Sequence, residues 1–347
     1  MLRPARGVFN ILIFGFITFA ILNGGVKARA AFAPAKVFIS HSAINARLVP
    51  LWIAKEQGFF SKYGIDAEIL LVTSGPTVTA ALISDSIQVG FGGGSSVLAA
   101  ALHGVDLKVV ATFSHRVVDD LVVRPEIKSP QDLRGKRFGV TSIGGAGWMA
   151  AMLGLERLGL DERKDNIRVV AAGGQSGRSQ ALEVGTLDAT TLDAVFSHKL
   201  KQKGFPILEE FHRFNIPIML QGVVVTGTFI QKHGDTLENT LKAMIEGLVY
   251  VLSPLNKNTV LNTIMRRLRI SDPADAEGGY RDLIDRKGLA SKPYPSLEGM
   301  RNIQRLMKLH NSQIERVKLG NLIDNRIIAK LDEDGFIDRL YRSYGGK

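Results

Sequence analysis

Apolar and polar positions along the chain fall into short strand-like runs separated by stretches with helical spacing. Residues 36–40 (KVFIS) read as a strand, and residues 51–60 (LWIAKEQGFF) as an amphipathic helix with Pro50 in its first turn. A turn through Gly64 then leads into a strand over 67–72, whose near-continuous apolar run suits a strand covered on both faces. Residues 74–77 (SGPT) open a helix carrying Val78, Ala81 and Leu82. A strand follows at 87–91, then an Ala-rich helix opened by 92–96 and ending at Gly104, and strands at 107–112 and 120–125. Strand and helix alternating over short links predict an α/β fold, with mostly parallel sheets wrapped by helices.

The plan then repeats. Residues 136–142 (KRFGVTS) parallel 36–42 (KVFISHS), the helix with Trp148 parallels the one with Trp52, and Gly159-Leu160-Asp161 parallels Gly64-Ile65-Asp66. Ala181, Leu182 and a strand at 188–192 parallel Ala81, Leu82 and the strand at 87–91. Any two βαβ units look alike in part, so order and spacing carry the repeat rather than any one match. Strands at 206–208 and 218–225 follow. From Asp235 onward the pattern is helical, with Leu241, Met244, Ile245, Leu248, Val249 and Leu252 on one face. Further helices are expected at 260–268, 275–285, 296–311 and 326–331, and residues 335–341 close the chain.

Composition narrows the class. At 347 residues the chain is long for one domain and suits two, and 45% hydrophobic with 22% charged residues is enough for sizeable cores. There is no cysteine, which excludes disulfides, thiolate metal sites, a cysteine nucleophile and a lipidated N-terminal cysteine. Arg3 and Arg6, an apolar run at 8–22 and Ala28-Arg29-Ala30 have the form of a secretory signal peptide over 1–30, cleaved after Ala30. Its alternative, a retained anchor, is weakened because a span needs about 20 apolar residues. Removing that segment lowers the formal charge from +11 to +7. The basic residues are scattered, so the excess reads as a solvated surface with a mild bias toward anions rather than a nucleic-acid patch.

Candidate chemistry gathers in four small-residue, hydroxyl-rich loops at strand-to-helix junctions. These are Ser74-Gly75-Pro76-Thr77, the glycine run 90–97, the loop 141–147 and the loop 173–177. Glycines let backbone approach a ligand, and open amides at a helix start favour an anion. Taken singly each loop is an ordinary tight turn with a cap. Four in register across two halves predict a cleft at the carboxyl ends of strands, where open α/β sheets bind ligands. The glycine run is neither a phosphate loop nor a dinucleotide fingerprint. Asp193 reads equally as a ligand contact and as an N-cap, and Asp188 as a turn cap. Trp52 and Trp148 are more often core than ligand contacts. The seven histidines show no metal spacing, and no nucleophile elbow occurs. His41 alone lies in a candidate loop, while His103 suits a helix end.

Residues 51–70, 74–94, 132–140 and 181–193 resemble ABC-transporter solute-binding proteins of the nitrate/taurine/alkanesulfonate type, a group that includes relatives of the thiamine-pyrimidine synthase. The resemblance covers roughly residues 36–250. It implies a two-lobed periplasmic binding protein of the second topological class, with lobe 1 from 31–125 and 220–347, lobe 2 from 126–219, and a C-terminal helical extension. The segments near 120–128 and 218–225 would be the hinge. The implied partners are a small-molecule solute and an ABC permease with its ATPase. The implied protein is a periplasmic monomer, not an enzyme, with no cofactor, metal or nucleic acid. Carried over by position, the ligand residues are Ser40, His41, Ser42, Ser74, Gly75, Thr77, Gly93, Gly94, Ser95, Ser96, Thr141, Ser142, Gly144, Gly145 and Asp193. Gln88 departs from the Asp common there in the family, a change expected to alter a turn. The pyrimidine-synthase relatives need a Cys-rich motif, which is absent. The rival readings are a periplasmic ligand-sensing domain and an enzyme on the same fold.

Overall fold

The computed structural model describes residues 33–345 apart from 43, 73 and 74. The signal-peptide expectation for 1–30 lies outside the described residues, as does Ser74. Among the described residues ten strands form two five-stranded sheets. They are β1 (Ala35–His41), β2 (Ile65–Leu71), β3 (Val89–Gly92), β4 (Leu107–Arg116), β5 (Asp120–Val123), β6 (Arg137–Val140), β7 (Arg168–Ala171), β8 (Ala189–Leu192), β9 (Ile207–Glu210) and β10 (Pro217–Thr226). The helices are α1 (Val49–Glu56), α2 (Phe59–Lys62), α3 (Gly75–Ile83), α4 (Gly94–Leu102), α5 (Ala146–Arg157), α6 (Gln175–Glu183), α7 (Ala194–Gln202), α8 (Gly227–Lys232), α9 (Gly234–Leu252), α10 (Lys257–Leu268), α11 (Pro273–Leu283), α12 (Leu297–Lys308), α13 (Arg326–Glu333) and α14 (Phe336–Ser343). Among the described residues no helix is long and apolar enough to cross a membrane.

The sheets share one plan. The first runs β2-β1-β3-β10-β4 and the second β7-β6-β8-β5-β9. In each the first three strands are parallel and the fourth is antiparallel to both neighbours. That fourth strand arrives from the other half of the chain. This corrects the expected changeover. Asp120–Val123, placed with the first lobe on the sequence, pairs with β8 and β9 of the second sheet. The chain therefore changes sheet at 117–119 and returns at 211–216, while 120–123 and 218–225 are strand. A short apolar run specifies strand but not its partner, which is why pattern alone misplaced it.

Side chains pack in three apolar layers separated by the sheets. Val37 and Ile39 of β1 point with α1, α9 and the C-terminal helices into one layer. The opposite face of that sheet shares a middle layer with the second sheet, filled by α4, α5 and α12. Leu182, Leu187, Leu192 and Leu200 form the third layer. Burial at this scale is the main favourable term in folding. Trp52 and Trp148 both belong to these layers, at 4% and 1% exposed, so neither is a stacking surface for a ligand. The run 51–60 is two helices because Gly58 takes the left-handed conformation (φ 74°), which glycine adopts without a Cβ clash. The C-terminal extension is tied down by buried Glu246. It accepts hydrogen bonds from Lys62 Nζ (2.7 Å), Tyr63 Oη (2.6 Å) and Tyr344 Oη (2.6 Å). Burial opposes its charge, but these donors hold it below the usual carboxylate range.

Candidate functional site

The parallel strands of both sheets end in helix starts, and these starts are chemically distinctive. Helix α4 follows β3, α5 follows β6 and α6 follows β7. Their N-caps are Gly93, Gly145 and Gly174, and among the described residues none receives a side-chain cap. The first amides of a helix have no partner within it and carry partial positive charge, so these starts suit an anion. Helix α8 begins at the opposite end of the first sheet, after antiparallel β10, and there Thr226 Oγ1 accepts the Phe229 amide at 3.1 Å.

The two sets of loops meet. A methyl group placed on Gly93 would lie 2.6 Å from Ala146 Cβ, so the start of α4 abuts the start of α5. The backbone at Gly93 is ordinary (φ −85°), which makes space the reason for glycine there. Gly93→Val is expected to push these starts apart and destabilise the fold by about 1–3 kcal/mol, the usual size of an overpacking penalty. Urea unfolding against wild type checks this. An unchanged midpoint would mean that the two starts do not pack on one another in solution.

Behind the loops lies a group of buried charges from distant parts of the chain. Arg47, in the helical turn Ala46–Leu48 after β1, pairs with Asp119 at 3.2 Å in the first crossing segment. Asn45 Oδ1 braces that turn by accepting the Arg47 amide at 3.1 Å. Arg178 on α6 is 5% exposed and rests on uncharged acceptors, including Thr141 Oγ1 at 2.6 Å and Gly173 O at 2.7 Å. Burial pulls its guanidinium down to about 10, against the attraction of Asp119 and Asp193. Gln175 and Asp193 form a two-point pair. Gln175 Nε2 donates to Asp193 Oδ2 and the Asp193 amide to Gln175 Oε1, both at 2.7 Å. Burial pushes the Asp193 carboxyl up to about 6, although Arg47 pulls the other way.

The structure brings most of the sequence-predicted residues to this end of the sheets. Ser40 and His41 are buried at the end of β1, and the Ser40 hydroxyl has no hydrogen-bond partner among the described residues. Ser42 is exposed, its Oγ 3.7 Å from a Cβ built on Gly92. Gly75 is the first residue of α3 and Thr77 is exposed on it. Ser95 is buried, and Ser96 Oγ donates to Gly93 O at 3.1 Å. Thr141, Ser142, Gly144 (φ 76°) and Gly145 form the loop before α5. Gly94 faces away: a Cβ there would meet Met300 and Ile303 of α12, so its smallness serves packing. Asp193 caps α7, accepting the Phe196 amide. Arg47, Asp119, Gln175 and Arg178 carry no motif or periodicity that marks them in the sequence. Gln175 lay inside a glycine loop already noted, and Arg178 one residue beyond it. Gln88 bridges Phe38 N (2.9 Å) and Asp85 O (2.7 Å), bracing the turn into β3. Among the described residues no group of acids and histidines could hold a metal ion.

Comparison with known proteins adds the family. Residues 45–254 match the NMT1/THI5-like family model. A protein of Brucella abortus (strain 2308) that carries a binding-protein name is 32% identical over 118 residues, 34% of this chain and 35% of that protein. The chain thus matches about a third of the length of that curated relative. The periplasmic aliphatic sulphonate binding protein SsuA of Escherichia coli superposes with a TM-score of 0.66 at 17% identity, covering 84% of this chain and 92% of its own. The desulfurization enzyme DszB superposes with a TM-score of 0.63 at 16% identity, covering 85% and 98%. These likenesses establish the periplasmic-binding-protein fold, two helix-wrapped sheets with a helical C-terminal region. The family match spans well over half the chain, and the protein belongs to the NMT1/THI5-like family.

Proposed function

We propose that this protein is the periplasmic solute-binding component of an ABC importer. It captures a small polar or anionic organic solute between two lobes, one built on each sheet. The observation that carries this reading is the set of glycine-capped starts of α4, α5 and α6, brought to one place from both sheets. Open amides at those starts supply donors to an anion. The lobes close by bending at 117–119 and 211–216, the two segments where the chain crosses between the sheets. The solute names of structural neighbours are consistent with an anion. The fold also carries an enzyme, so the binding reading rests on the site. The acid–base pair that the sequence offered was His41 with Asp193, and the Asp193 carboxylate is committed to Gln175 and the α7 amide. The docking partner of such a protein is a permease with its ATPase, and its place of work is the periplasm.

The test is a thermal-shift screen of residues 31–347, stripped of ligand, against nitrate, bicarbonate, taurine, alkanesulfonates, dicarboxylates, aromatic acids and thiamine pyrimidines. A solute that binds only the folded state raises the midpoint, by an amount that grows with its concentration. A saturable shift abolished by Ser95→Ala with Thr141→Ala supports the reading. No shift from any compound, with folded protein in hand, sinks it.

A further inference from the structure

The surroundings of Arg178 bear on what fixes the sign of the solute's charge. The guanidinium is held at four points. Nε donates to Thr190 Oγ1 (3.0 Å), Nη1 to Thr141 Oγ1 (2.6 Å) and Gly173 O (2.7 Å), and Nη2 to Thr191 O (3.0 Å). Every one of these acceptors is uncharged. Asp119 and Asp193 attract it only at longer range, Asp119 being paired with Arg47 and Asp193 hydrogen-bonded by the uncharged Gln175. A buried cation is normally matched by an anion at hydrogen-bond distance, and this one is not. Its contacts also tie together the loops after β6 and β7 and the end of β8.

Thr141 passes this influence forward. Its Oγ1 accepts from Arg178, and it lies 3.2 Å from where a Cβ on Gly147 would stand, beside the first turn of α5. With a lone pair engaged by the guanidinium, the hydroxyl hydrogen points away from Arg178 and is offered as a donor. The neighbouring Thr190 differs, because its hydroxyl donates to Gly139 O at 2.9 Å.

We propose that Arg178 is a specificity-determining positioning residue: it turns Thr141 into a hydrogen-bond donor beside the start of α5 and backs it with a positive charge that no carboxylate hydrogen-bonds, so that the site selects an anion over its neutral isostere. This inference rests on the interlobe binding reading. It assigns Arg178 no direct contact with solute.

The experiment compares butanesulfonate with butanesulfonamide and butanoate with butanamide by calorimetric titration, at constant ionic strength. Wild type, Arg178→Lys, Arg178→Gln and Thr141→Val are used, each checked for folding by a thermal melt. Wild type is expected to prefer one of the anions about a hundredfold, the scale of one charge acting nearby at the effective permittivity of protein sites. Arg178→Lys keeps that preference at lower affinity. Arg178→Gln removes most of it while amide binding stays within a few fold. Thr141→Val leaves the guanidinium in place and weakens the anion more than the amide, so the proposal stays testable if Arg178→Gln does not fold. Equal weakening of anion and amide would overturn it and leave Arg178 a structural clamp. Wild type that binds anion and amide alike would overturn it while leaving the cleft reading standing. No binding of any of these compounds, nor of any in the wider screen, would overturn both.

Discussion

Arg286→Met is expected to cost about 3–5 kcal/mol of stability at pH 7.5, the range for leaving buried charge without its partner. Arg286 Nη1 donates to Asp120 Oδ1 at 2.8 Å and Asp282 Oδ1 at 2.9 Å, and Nη2 to Glu210 Oε1 at 3.2 Å. Asp120 and Asp282 are 1% and 2% exposed, so water cannot replace the lost cation. Ser197 Oγ donates to Asp120 and the Ala194 amide to Asp282, which gives each acid a second tie but no charge. The site matters for architecture because Asp120 begins β5, Glu210 ends β9, and both border the crossing segments. Burial holds Asp120 and Asp282 above the usual carboxylate range even with Arg286 opposing it. A carboxyl raised in the folded state favours folding most at low pH and loses that contribution as pH rises through its folded value. Removing Arg286 raises both acids further, so the defect should shrink toward pH 4. Urea unfolding at pH 7.5 and pH 4 measures it. A midpoint unchanged at pH 7.5 would show that the cluster contributes no net stability.

Asp193→Asn is expected to flatten the pH dependence of stability. The Asp193 carboxyl stands at about 6 in the folded protein, against an ordinary value of 3.8, because burial disfavours its charge. Its contribution is therefore full below about pH 4 and is lost as pH rises through 6. A tenfold change in a protonation equilibrium is worth about 1.4 kcal/mol, so ionising Asp193 costs on the order of 2–3 kcal/mol by pH 7.5. Asparagine retains a capping oxygen without the charge. Relative to its own stability at pH 4, the variant should gain that amount over wild type at pH 7.5. Arg47, Asp119 and Asp282 face the same group and remain in both proteins, so the difference isolates position 193. Parallel pH profiles would mean that Asp193 does not titrate in this window.

Much of the fold could be read before the structure. The strands at 36–40, 87–91, 107–112 and 218–225 and the long helix ending at Leu252 follow from local periodicity, because one face of each must meet a core. Junction loops were legible for a similar reason: Gly93, Gly145 and Gly174 stand where apolar periodicity switches from strand to helix. Strand Arg168–Ala171 was not singled out, since RVVA is too short to show alternation. Helix α2 was folded into its neighbour because only the left-handed turn at Gly58 separates them.

Where elements begin, end and turn, and which junction loops are built of small residues, is legible from the chain alone. Those properties depend on neighbours within a few residues. The tertiary structure alone decided which sheet Asp120–Val123 joins, that Gly94 packs on α12 while Gly93 meets Ala146, and that both tryptophans are core. It also decided the charges behind the loops. Arg47 and Asp119 are 72 residues apart and Arg286 and Asp120 are 166 apart, and neither pairing leaves a periodic trace. A charged residue on a helix reads as solvated surface until the fold shows what covers it, and for Arg178 the covering is two threonines and two carbonyls.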